Sequence, residues 1–331
     1  MQPPDFWKHE PKHAGLWPVV LSPLSKLWQW AGARRWQKGR HIELGIPVIC
    51  IGNVNLGGTG KTPTVIETVT RLAAMGKNPH VVSKGYKGQI TGPTQVDPTH
   101  HTANDVGDEP LLLAAFAPTW VSKDRLAGAR AALGAGADVI VLDDGLQNPA
   151  LAKDLTIMVV DAQAGFGNGQ VVPSGPLRET IEAAVAKTDL LFTIGPQGMV
   201  HDGFRGKWDA VKTLPHVSSS IEPLQTGMDW EGMEVLAFAG IGRPEKFYQT
   251  LKEMGVKIKA TRSFDDHQTL STSLLARLES EAWQLGAQLV TTEKDAVRLP
   301  KEWQQKVLTV PVRLKIHQAK VFDKILRAVF D

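Results

Sequence analysis

The sequence predicts an α/β fold in which a mostly parallel sheet is followed by a second, smaller α/β unit. Short apolar runs alternate with helical patterns over residues 48–194, and the alternation resumes near residue 233. This order is typical of βαβ units and therefore of parallel sheets. The chain of 331 residues is long enough for about two domains.

The junction between the two units is predicted within residues 195–230, which are rich in Gly, Pro, Ser and His. In the first unit the predicted strands are 48–51, 80–83, 120–122, 139–142, 155–160 and 190–194, and the predicted helices are 64–75, 108–116, 125–133 and 178–187. In the second unit the predicted strands are 235–239, 258–261, 288–292 and 307–312, and the predicted helices are 244–254, 269–285 and 320–329. The chain thus divides into an N-terminal segment (1–40), a larger domain (41–215) and a smaller C-terminal α/β domain (216–331), with a linker near 200–232.

Composition and charge exclude several classes of protein. Hydrophobic residues make up 42% and charged residues 21% of the chain, which are ordinary globular values and exclude wholesale disorder. The one cysteine, Cys50, excludes a disulfide framework within the chain, argues against a cysteine-based zinc site and favours a reducing compartment, the cytoplasm. The net charge of +3 is too small to indicate nucleic acid as a partner, and none is expected.

The N-terminal segment is more basic and richer in tryptophan than the rest of the chain. Residues 1–46 carry a net charge of +4, and five of the ten tryptophans lie within the first 36 residues. The segment lacks the basic start of a secretory leader, and Pro18, Pro23 and Lys26 interrupt its apolar stretch before the ~20 residues of a membrane span. An apolar stripe at helical spacing comprises Val20, Leu24, Leu27, Trp28 and Ala31, and a basic run at 34–40 follows it. The stripe indicates either a membrane-surface segment or a helix packed on its own domain, and the pattern alone favours the second.

A glycine-rich loop carries the strongest signal in the sequence, with an apolar strand before it and a helix after it. Loop glycines let backbone N–H groups point at phosphate oxygens, Lys61 can reach the β- and γ-phosphates of a nucleotide, and the Thr62 hydroxyl can ligate Mg²⁺. The loop departs from G-x-x-x-x-G-K-[ST] because Asn55 occupies the first glycine position. It is similar instead to the Gly-Gly-x-Gly-Lys-Thr variant of another P-loop branch, with Leu56 where some members carry a second lysine. The first domain is therefore predicted to be of the P-loop NTPase type. The predicted nucleotide-binding residues are Asn55, Leu56, Gly57, Gly58, Thr59, Gly60, Lys61 and Thr62.

The second nucleotide element is an acidic pair at the end of a buried strand. Four apolar residues, 139–142, lead into Asp143 and Asp144, and Gln147 follows. The carboxyl end of a parallel strand is where α/β proteins bind ligands, so one of these carboxylates can hold Mg²⁺ or its water. No guanine-reading motif follows a strand, since the similar stretch at 186–189 precedes one. The pair is interpreted as a Walker B element, and ATP is favoured over GTP.

The acceptor side of the site is predicted at Asp108 and Glu109, which open a helix between the loop and the aspartate pair. Adjacent carboxylates at a helix start are often simple caps. As functional groups, Asp108 can take a proton from an acceptor hydroxyl, and Glu109 can contact Mg²⁺. In the second domain, Asp266 and His267 precede a helix. If the two domains face each other across a cleft, His267 can pair with Asp108 and tune it.

The motifs occur in an order that closely resembles the tetraacyldisaccharide 4′-kinase family, the lipid A 4′-kinases of Gram-negative bacteria. The resemblance runs from about residue 14 to the end of the chain. It rests on Asn-Val-Asn-Leu-Gly-Gly-Thr-Gly-Lys-Thr-Pro at 53–63, Gly-Asp-Glu-Pro at 107–110, Asp-Asp-Gly-Leu-Gln at 143–147, Gly-Pro-Leu-Arg-Glu at 175–179, Ala-Gly-Ile-Gly-Arg-Pro at 239–244, Asp-His at 266–267 and Thr-Glu-Lys-Asp-Ala at 292–296. The set is highly specific, although no single motif is.

The resemblance implies ATP-dependent phosphorylation, with Mg²⁺, of the 4′-hydroxyl of a tetraacylated glucosamine disaccharide 1-phosphate. It implies a peripheral enzyme on the cytoplasmic face of the inner membrane, with a P-loop domain and a smaller α/β domain joined by a short β-linker. The resemblance places the catalytic base on Asp108 and its partner on His267, and Lys61 of the phosphate loop completes the predicted catalytic residues. Nucleotide binding falls on the 55–62 loop. The family's Walker B acids fall on Asp143 and Asp144, and together with Thr62 and Glu109 they make up the predicted metal ligands.

The resemblance also changes how two other parts of the sequence are interpreted. Because the acceptor is an anionic glycolipid anchored in a bilayer, the membrane-surface interpretation of the N-terminal segment moves ahead of the packed helix. No obligate protein partner is evident. Lys84 stands where the family usually has arginine; lysine keeps the charge but loses the bidentate fork for phosphate, which weakens any strict phosphate-clamping role there.

Two alternatives explain less of the sequence. A regulatory P-loop ATPase that dimerises on ATP fits the loop, but Leu56 in place of the signature lysine argues against it. A membrane-binding module with a vestigial loop is disfavoured by the intact Lys61, Thr62 and Asp143. Neither alternative accounts for Asp108 together with His267.

Overall fold

The structure is a computed structural model that describes residues 4–13, 15–266 and 268–331. Within these residues the strands are β1 (Val48–Gly52), β2 (Pro79–Ser83), β3 (Thr94–Gln95), β4 (Thr119–Val121), β5 (Val139–Asp143), β6 (Leu155–Asp161), β7 (Leu190–Ile194), β8 (His216–Pro223), β9 (Glu234–Ala239), β10 (Lys257–Ser263), β11 (Gln288–Thr292), β12 (Leu308–Val310) and β13 (Val312–Ile316). The helices are α1 (Trp17–Gln37), α2 (Lys61–Ala74), α3 (Ala103–Val106), α4 (Asp108–Leu113), α5 (Arg125–Gly134), α6 (Ile181–Val185), α7 (Val200–Lys207), α8 (Pro244–Glu253), α9 (Thr272–Gln284), α10 (Glu293–Ala296), α11 (Lys301–Gln304) and α12 (Ala319–Arg327).

These strands form two sheets. The larger sheet has the order β13-β8-β7-β6-β1-β5-β2-β4-β3, and it is parallel except for its two edge strands, β3 and β13. The smaller sheet has the order β10-β9-β11-β12 and is parallel throughout. Most of the successive parallel strands are connected by helices, as is usual for crossover connections, but the described residues 144–154 between β5 and β6 contain no helix. The predicted α/β fold with a mostly parallel sheet is confirmed.

Strand β1 lies at the centre of the larger sheet and is buried at every position. It pairs with β5 on one side and β6 on the other. On one face, Ile49 and Ile51 belong to the same core as Val65 and Val69 of α2. A strand covered on both faces is a continuous apolar run, which is why the pattern at 48–51 was readable in the sequence. Its carboxyl end therefore emerges into the loop at 55–62 from a rigid position.

The region predicted as a linker, 200–232, differs from the prediction. It contains α7 and β8, and β8 pairs with β7 and with β13 in the larger sheet. Three of the four buried positions of β8 are serines, which form hydrogen bonds. The Ser219 hydroxyl donates to the Thr193 carbonyl oxygen at 3.0 Å, and the Ser218 hydroxyl lies 3.0 Å from Nδ1 of His317. Such a strand has no apolar run to reveal it. Sheet membership after residue 216 thus departs from the predicted division, and the domain limits themselves stay a prediction.

Helix α1 turns its polar side towards the protein and its apolar side outwards. The Ser25 hydroxyl, which is buried, donates to the Val171 carbonyl oxygen at 2.8 Å, and the Trp28 indole N–H donates to the Arg178 carbonyl oxygen at 2.9 Å. The exposed apolar side chains on and before the helix are Leu16, Trp17, Val19, Val20, Leu24, Leu27, Trp28 and Trp30. None of the helices described is long and apolar enough to cross a membrane.

Candidate active site

The phosphate loop, residues 55–62, connects β1 to α2 at the carboxyl end of the larger sheet. Gly60 precedes α2 with a φ of 95°, in the left-handed region that glycine tolerates best. A Cβ atom at this position would also collide with Ile194 at the end of β7. The loop therefore requires glycine here. The Thr59 hydroxyl is buried and has no hydrogen-bond partner among the residues the structure describes, as expected where a ligand oxygen is to bind.

Lys61, the first residue of α2, is held over the loop by two oxygens. Its Nζ donates to Asn53 Oδ1 at 3.1 Å and lies 3.6 Å from Asp144 Oδ1. Because the side chain is almost fully enclosed, it has little rotamer freedom left to lose when it binds an anion. The free backbone N–H groups at the start of α2 add to this preference for negative charge.

Asp143 ends β5 as a buried carboxylate. Its Oδ2 accepts a hydrogen bond from the Ser83 hydroxyl at 2.9 Å. Burial, followed by the negative charges of Glu109 and Asp144, raises the pKa of Asp143 to about 6. A bound cation would offset both causes, because it stabilises the ionised carboxylate.

Asp144, the next residue, is paired with cations. Arg178 Nη1 donates to its two carboxylate oxygens at 2.8 and 2.9 Å. Burial alone would raise the pKa of Asp144, but the charges of Lys61 and Arg178 outweigh it and lower that pKa. Gln147 Nε2 donates to Glu179 Oε1 at 2.9 Å. The motifs at 143–147 and 175–179 are therefore joined by hydrogen bonds beside Lys61.

Asp108 and Glu109 begin α4, and Glu109 lines the same cleft as the phosphate loop. Asp108 is buried, with 4% of its surface exposed, and its Oδ1 accepts from the Glu109 backbone nitrogen at 3.1 Å. Lys294 of α10 enters from the smaller sheet, with its Nζ 3.2 Å from Glu109 Oε1 and 3.5 Å from Asp266 Oδ1. Burial disfavours the charge of Lys294, but Glu109, Asp108 and Asp266 outweigh burial and raise its pKa. Acidic residues of the larger unit therefore interact with a lysine of the smaller unit.

His267, the predicted partner of Asp108, lies outside the described residues, and their pairing stays a prediction. Its neighbour Asp266 is described. The carbonyl oxygen of Asp266 accepts from Lys87 Nζ at 3.3 Å, and its carboxylate lies near Lys294. The connection between β10 and α9 therefore reaches the side of the cleft on which α4 begins.

The predicted metal ligands suit a hard cation such as Mg²⁺. Thr62, in the first turn of α2, offers a hydroxyl, and Asp143, at the carboxyl end of β5, offers a carboxylate oxygen. Burial first, and neighbouring negative charge second, raise the pKa of Asp143, and a bound cation would offset both. Over the described part of the chain, no three His, Cys, Asp or Glu are grouped as metal ligands. Ligand phosphates would have to complete the coordination, as is usual for Mg²⁺. Glu109 and Asp144 are engaged by cationic side chains, and their part in the metal site stays a prediction.

Charged residues outside the predicted set also line the cleft. Asp161 ends β6 and is paired with Arg243 and Lys246 of the smaller unit. The sequence contains a signal for Asp161: it ends an apolar strand, which is the same pattern that identifies Asp143. Arg243 lies within the motif at 239–244, but nothing local to the motif indicated what it contacts.

Comparison with known proteins identifies the family. The sequence profile of the family described as "Tetraacyldisaccharide-1-P 4'-kinase" matches residues 17–331. The chain belongs to this family. The tetraacyldisaccharide 4′-kinase of Dinoroseobacter shibae is 55% identical over an alignment that covers 100% of this chain and 97% of the relative. That of Rhodospirillum centenum is 44% identical and covers 98% of this chain and 96% of the relative.

A solved structure supports the same family at the level of the fold. A crystal structure of LpxK from Aquifex aeolicus in complex with ATP matches with a TM-score of 0.76 and 25% identity, covering 95% of this chain and 99% of that one. The predicted family and the predicted enzyme, a tetraacyldisaccharide 4′-kinase, are confirmed. The alternative of an ATPase that dimerises on ATP is set aside.

Proposed function

We propose that this chain transfers the γ-phosphoryl group of ATP to the 4′-hydroxyl of a tetraacylated glucosamine disaccharide 1-phosphate. The observation that carries the proposal is that Lys61, Asp143 and Glu109 line one cleft, with Asp108 directly before Glu109 at the start of α4. The cleft measures about 2960 Å³, roughly three times the ~1,000 Å³ upper range of ordinary small-ligand pockets. It has room for a nucleotide together with the headgroup of a glycolipid.

The phosphates of ATP are proposed to lie on the N-terminus of α2. Lys61 then exchanges Asp144 for the β- and γ-phosphate oxygens, while Arg178 keeps Asp144 paired. The Thr62 hydroxyl and the Asp143 carboxylate would hold Mg²⁺, which when bound supplies positive charge to the phosphate oxygens. Positioning and charge neutralisation of this kind account for most of the catalysis of phosphoryl transfer.

The acceptor hydroxyl is proposed to be activated by Asp108. Its carboxylate takes the proton of the 4′-hydroxyl as that oxygen bonds to the γ-phosphorus, and the bond from the phosphorus to the ADP oxygen breaks. Lys294 forms an ion pair with the neighbouring Glu109, and the charges of Glu109, Asp108 and Asp266 raise the pKa of Lys294. His267, placed by the family resemblance at the base, is proposed to orient Asp108.

The activity is tested by incubating the chain with ATP labelled in the γ-phosphate, Mg²⁺ and tetraacyldisaccharide 1-phosphate in detergent micelles. We expect one labelled phosphate per lipid and one ADP per phosphate transferred. A lipid that lacks the 4′-hydroxyl is the matched control and should remain unlabelled. Release of inorganic phosphate without labelling of the lipid would contradict the proposal.

The enzyme is further proposed to work as a peripheral protein on the cytoplasmic face of the inner membrane, with α1 as its contact. Outward-facing Leu24, Leu27 and Trp30 form an apolar surface, and Arg34 and Arg35 follow in the last turn of the helix. Apolar burial combined with basic side chains is the usual basis for binding of a helix at an anionic membrane surface. The proposal needs no protein partner.

Replacing Leu24, Leu27 and Trp30 together by serine is expected to weaken binding to anionic vesicles by at least about 10-fold, because burying each such side chain contributes ~1.5–3 kcal/mol. Vesicle flotation at low and high salt measures the change. High salt should weaken binding of the wild-type chain, since each Lys or Arg near the surface contributes ~1 kcal/mol. Trp283→Ser is the matched control, because Trp283 is 86% exposed but lies on α9 in the smaller unit. Equal binding of the triple variant and the wild type would show that α1 is not the contact.

A further inference from the structure

The connection from β9 to α8 in the smaller unit lies beside the phosphate loop. It contains the Ala-Gly-Ile-Gly-Arg-Pro motif at 239–244. A Cβ atom built on Gly242 would be 4.0 Å from the backbone nitrogen of Gly58. The side chain that follows, Arg243, and Lys246 in the first turn of α8 line the same cleft as the loop.

Both cations converge on one carboxylate of the larger unit. Asp161 Oδ2 accepts from Arg243 Nη2 and, at 2.6 Å, from Lys246 Nζ. Its other oxygen accepts from the backbone nitrogens of Gln163 and Ala164 at 3.0 and 3.1 Å. Both oxygens of the carboxylate therefore accept hydrogen bonds. The cluster has two positive charges against one negative charge, so one cation is enough to neutralise Asp161.

The exposed fractions of the three side chains show that the two cations, and not the carboxylate, are accessible to a ligand. The Asp161 side chain is 7% exposed, whereas those of Arg243 and Lys246 are 36% and 43% exposed. The phosphate loop itself provides one lysine, Lys61, and has the uncharged Leu56 near its start. A triphosphate carries more negative charge than Lys61 and the proposed Mg²⁺ together neutralise, so a further cation on this side of the loop would stabilise it.

We propose that Arg243 leaves Asp161 to bind the terminal phosphates of ATP, and that Lys246 remains as the partner of Asp161. This inference rests on the proposed function. The planar guanidinium of Arg243 can donate two parallel hydrogen bonds to a phosphate, which a lysine cannot do. Because Lys246 stays behind, the buried Asp161 is never left unpaired, which is the expensive state for an enclosed carboxylate. ATP thereby draws the smaller unit onto the phosphate loop through an arginine supplied in the same chain.

The test compares the affinities of ATP, ADP and AMP, with kcat and KM, for Arg243→Ala, Arg243→Lys and Asp161→Asn. We expect Arg243→Ala to weaken ATP binding by about 10-fold or more, since charge-assisted bonds are the strong ones, and to leave AMP affinity unchanged. Its kcat should fall by ~10³, the lower range for arginines that contact a transferred phosphoryl group. Arg243→Lys should recover part of both losses. Asp161→Asn keeps the acceptor for the two backbone nitrogens but stops competing with phosphate, so ATP should bind more tightly.

Lys252→Ala, on the exposed side of the same helix, is the matched control and should behave as the wild type. Thermal unfolding of each variant shows whether it is folded. If both Arg243→Ala and Asp161→Asn weaken the binding of ATP and of AMP equally, the ion pair only holds the two units together. The inference would then be wrong. Failure of the proposed function shows separately, as a wild-type chain that binds ATP without labelling the lipid, and the ATP-to-AMP ratio still decides the role of Arg243.

Discussion

Lys61→Ala is expected to lower turnover by a factor of at least ~10², because it removes the cation that the phosphate loop itself places on the β- and γ-phosphates. Single cationic contacts to a transferred phosphoryl group can increase the rate by a factor of ~10³–10⁵. Folding should be preserved. The main partner of Lys61 among the acids, Asp144, keeps its two hydrogen bonds from Arg178 at 2.8 and 2.9 Å. Steady-state phosphate transfer to the lipid, together with thermal unfolding of the same preparation, measures both effects.

Lys77→Ala provides the matched control for Lys61→Ala. Lys77 follows α2 and lies over the ring of Phe330, 4.1 Å from its centroid, away from the cleft. Its loss removes a cation–π contact but no contact to the phosphate loop, so turnover should stay near that of the wild type. A folded Lys61→Ala variant that turns over as fast as Lys77→Ala would overturn the assignment of residues 55–62 to the phosphates.

Asp108→Asn is expected to lower kcat by roughly 10²–10⁴, the usual contribution of a positioned general base. The change preserves the size of a side chain that is 4% exposed, and Lys294 keeps Glu109 and Asp266 as partners. ATP affinity should change little, because Lys61, Thr62 and Asp143 are untouched. Measuring kcat and the dissociation constant for Mg²⁺–ATP in parallel separates the two effects. A large loss of nucleotide affinity would instead make Asp108 part of the metal site.

The pairing of Asp108 with His267 is tested by adding His267→Ala. Alone, it should cost less than Asp108→Asn, and the double variant should be little slower than Asp108→Asn, because residues that act as a unit are not additive. Strictly additive losses would contradict the pairing. Asp105→Asn is the control: Asp105 lies three residues upstream and accepts hydrogen bonds from Thr102 at the start of α3, so turnover should not change.

The parts of the fold that the sequence predicts well are those buried on both faces. β7 was predicted at its observed bounds, 190–194, because all five of its residues are enclosed by the core. β8 is missed because hydrogen-bonded serines fill three of its four buried positions. β13 is missed for a related reason, since only two of its five residues, Leu314 and Ile316, are buried. It also follows β12 after a single residue, so the one predicted strand at 307–312 covers parts of two strands. Pairing partners, rather than local pattern, decide such elements.

For the active site, the sequence predicts residues that act through local geometry better than residues that act across the cleft. The loop glycines, Lys61 and the Asp143–Asp144 pair follow from a strand, a turn and a helix in direct succession. The ion pairs that join the two units, Lys294 with Glu109 and Arg243 with Asp161, span 185 and 82 positions. Nothing within a sequence window specifies the partner over such a separation, because only the docking of one sheet against the other brings these charges together.

The larger sheet is the first to begin synthesis on the ribosome and the last to be completed. Its edge strand β13 and its covering helix α12 follow the whole of the smaller unit, and Phe322 and Leu326 of α12 belong to the same core as Ile49 of β1. During translation the larger sheet therefore lacks β13 beside its strand β8 and lacks α12 over its apolar face until the end of the chain is made. An unpaired strand and an uncovered apolar face both favour aggregation and binding by chaperones. The smaller sheet is contiguous in the chain and emerges ready to fold. A chain cut short near its carboxyl terminus consequently loses the half that was made first.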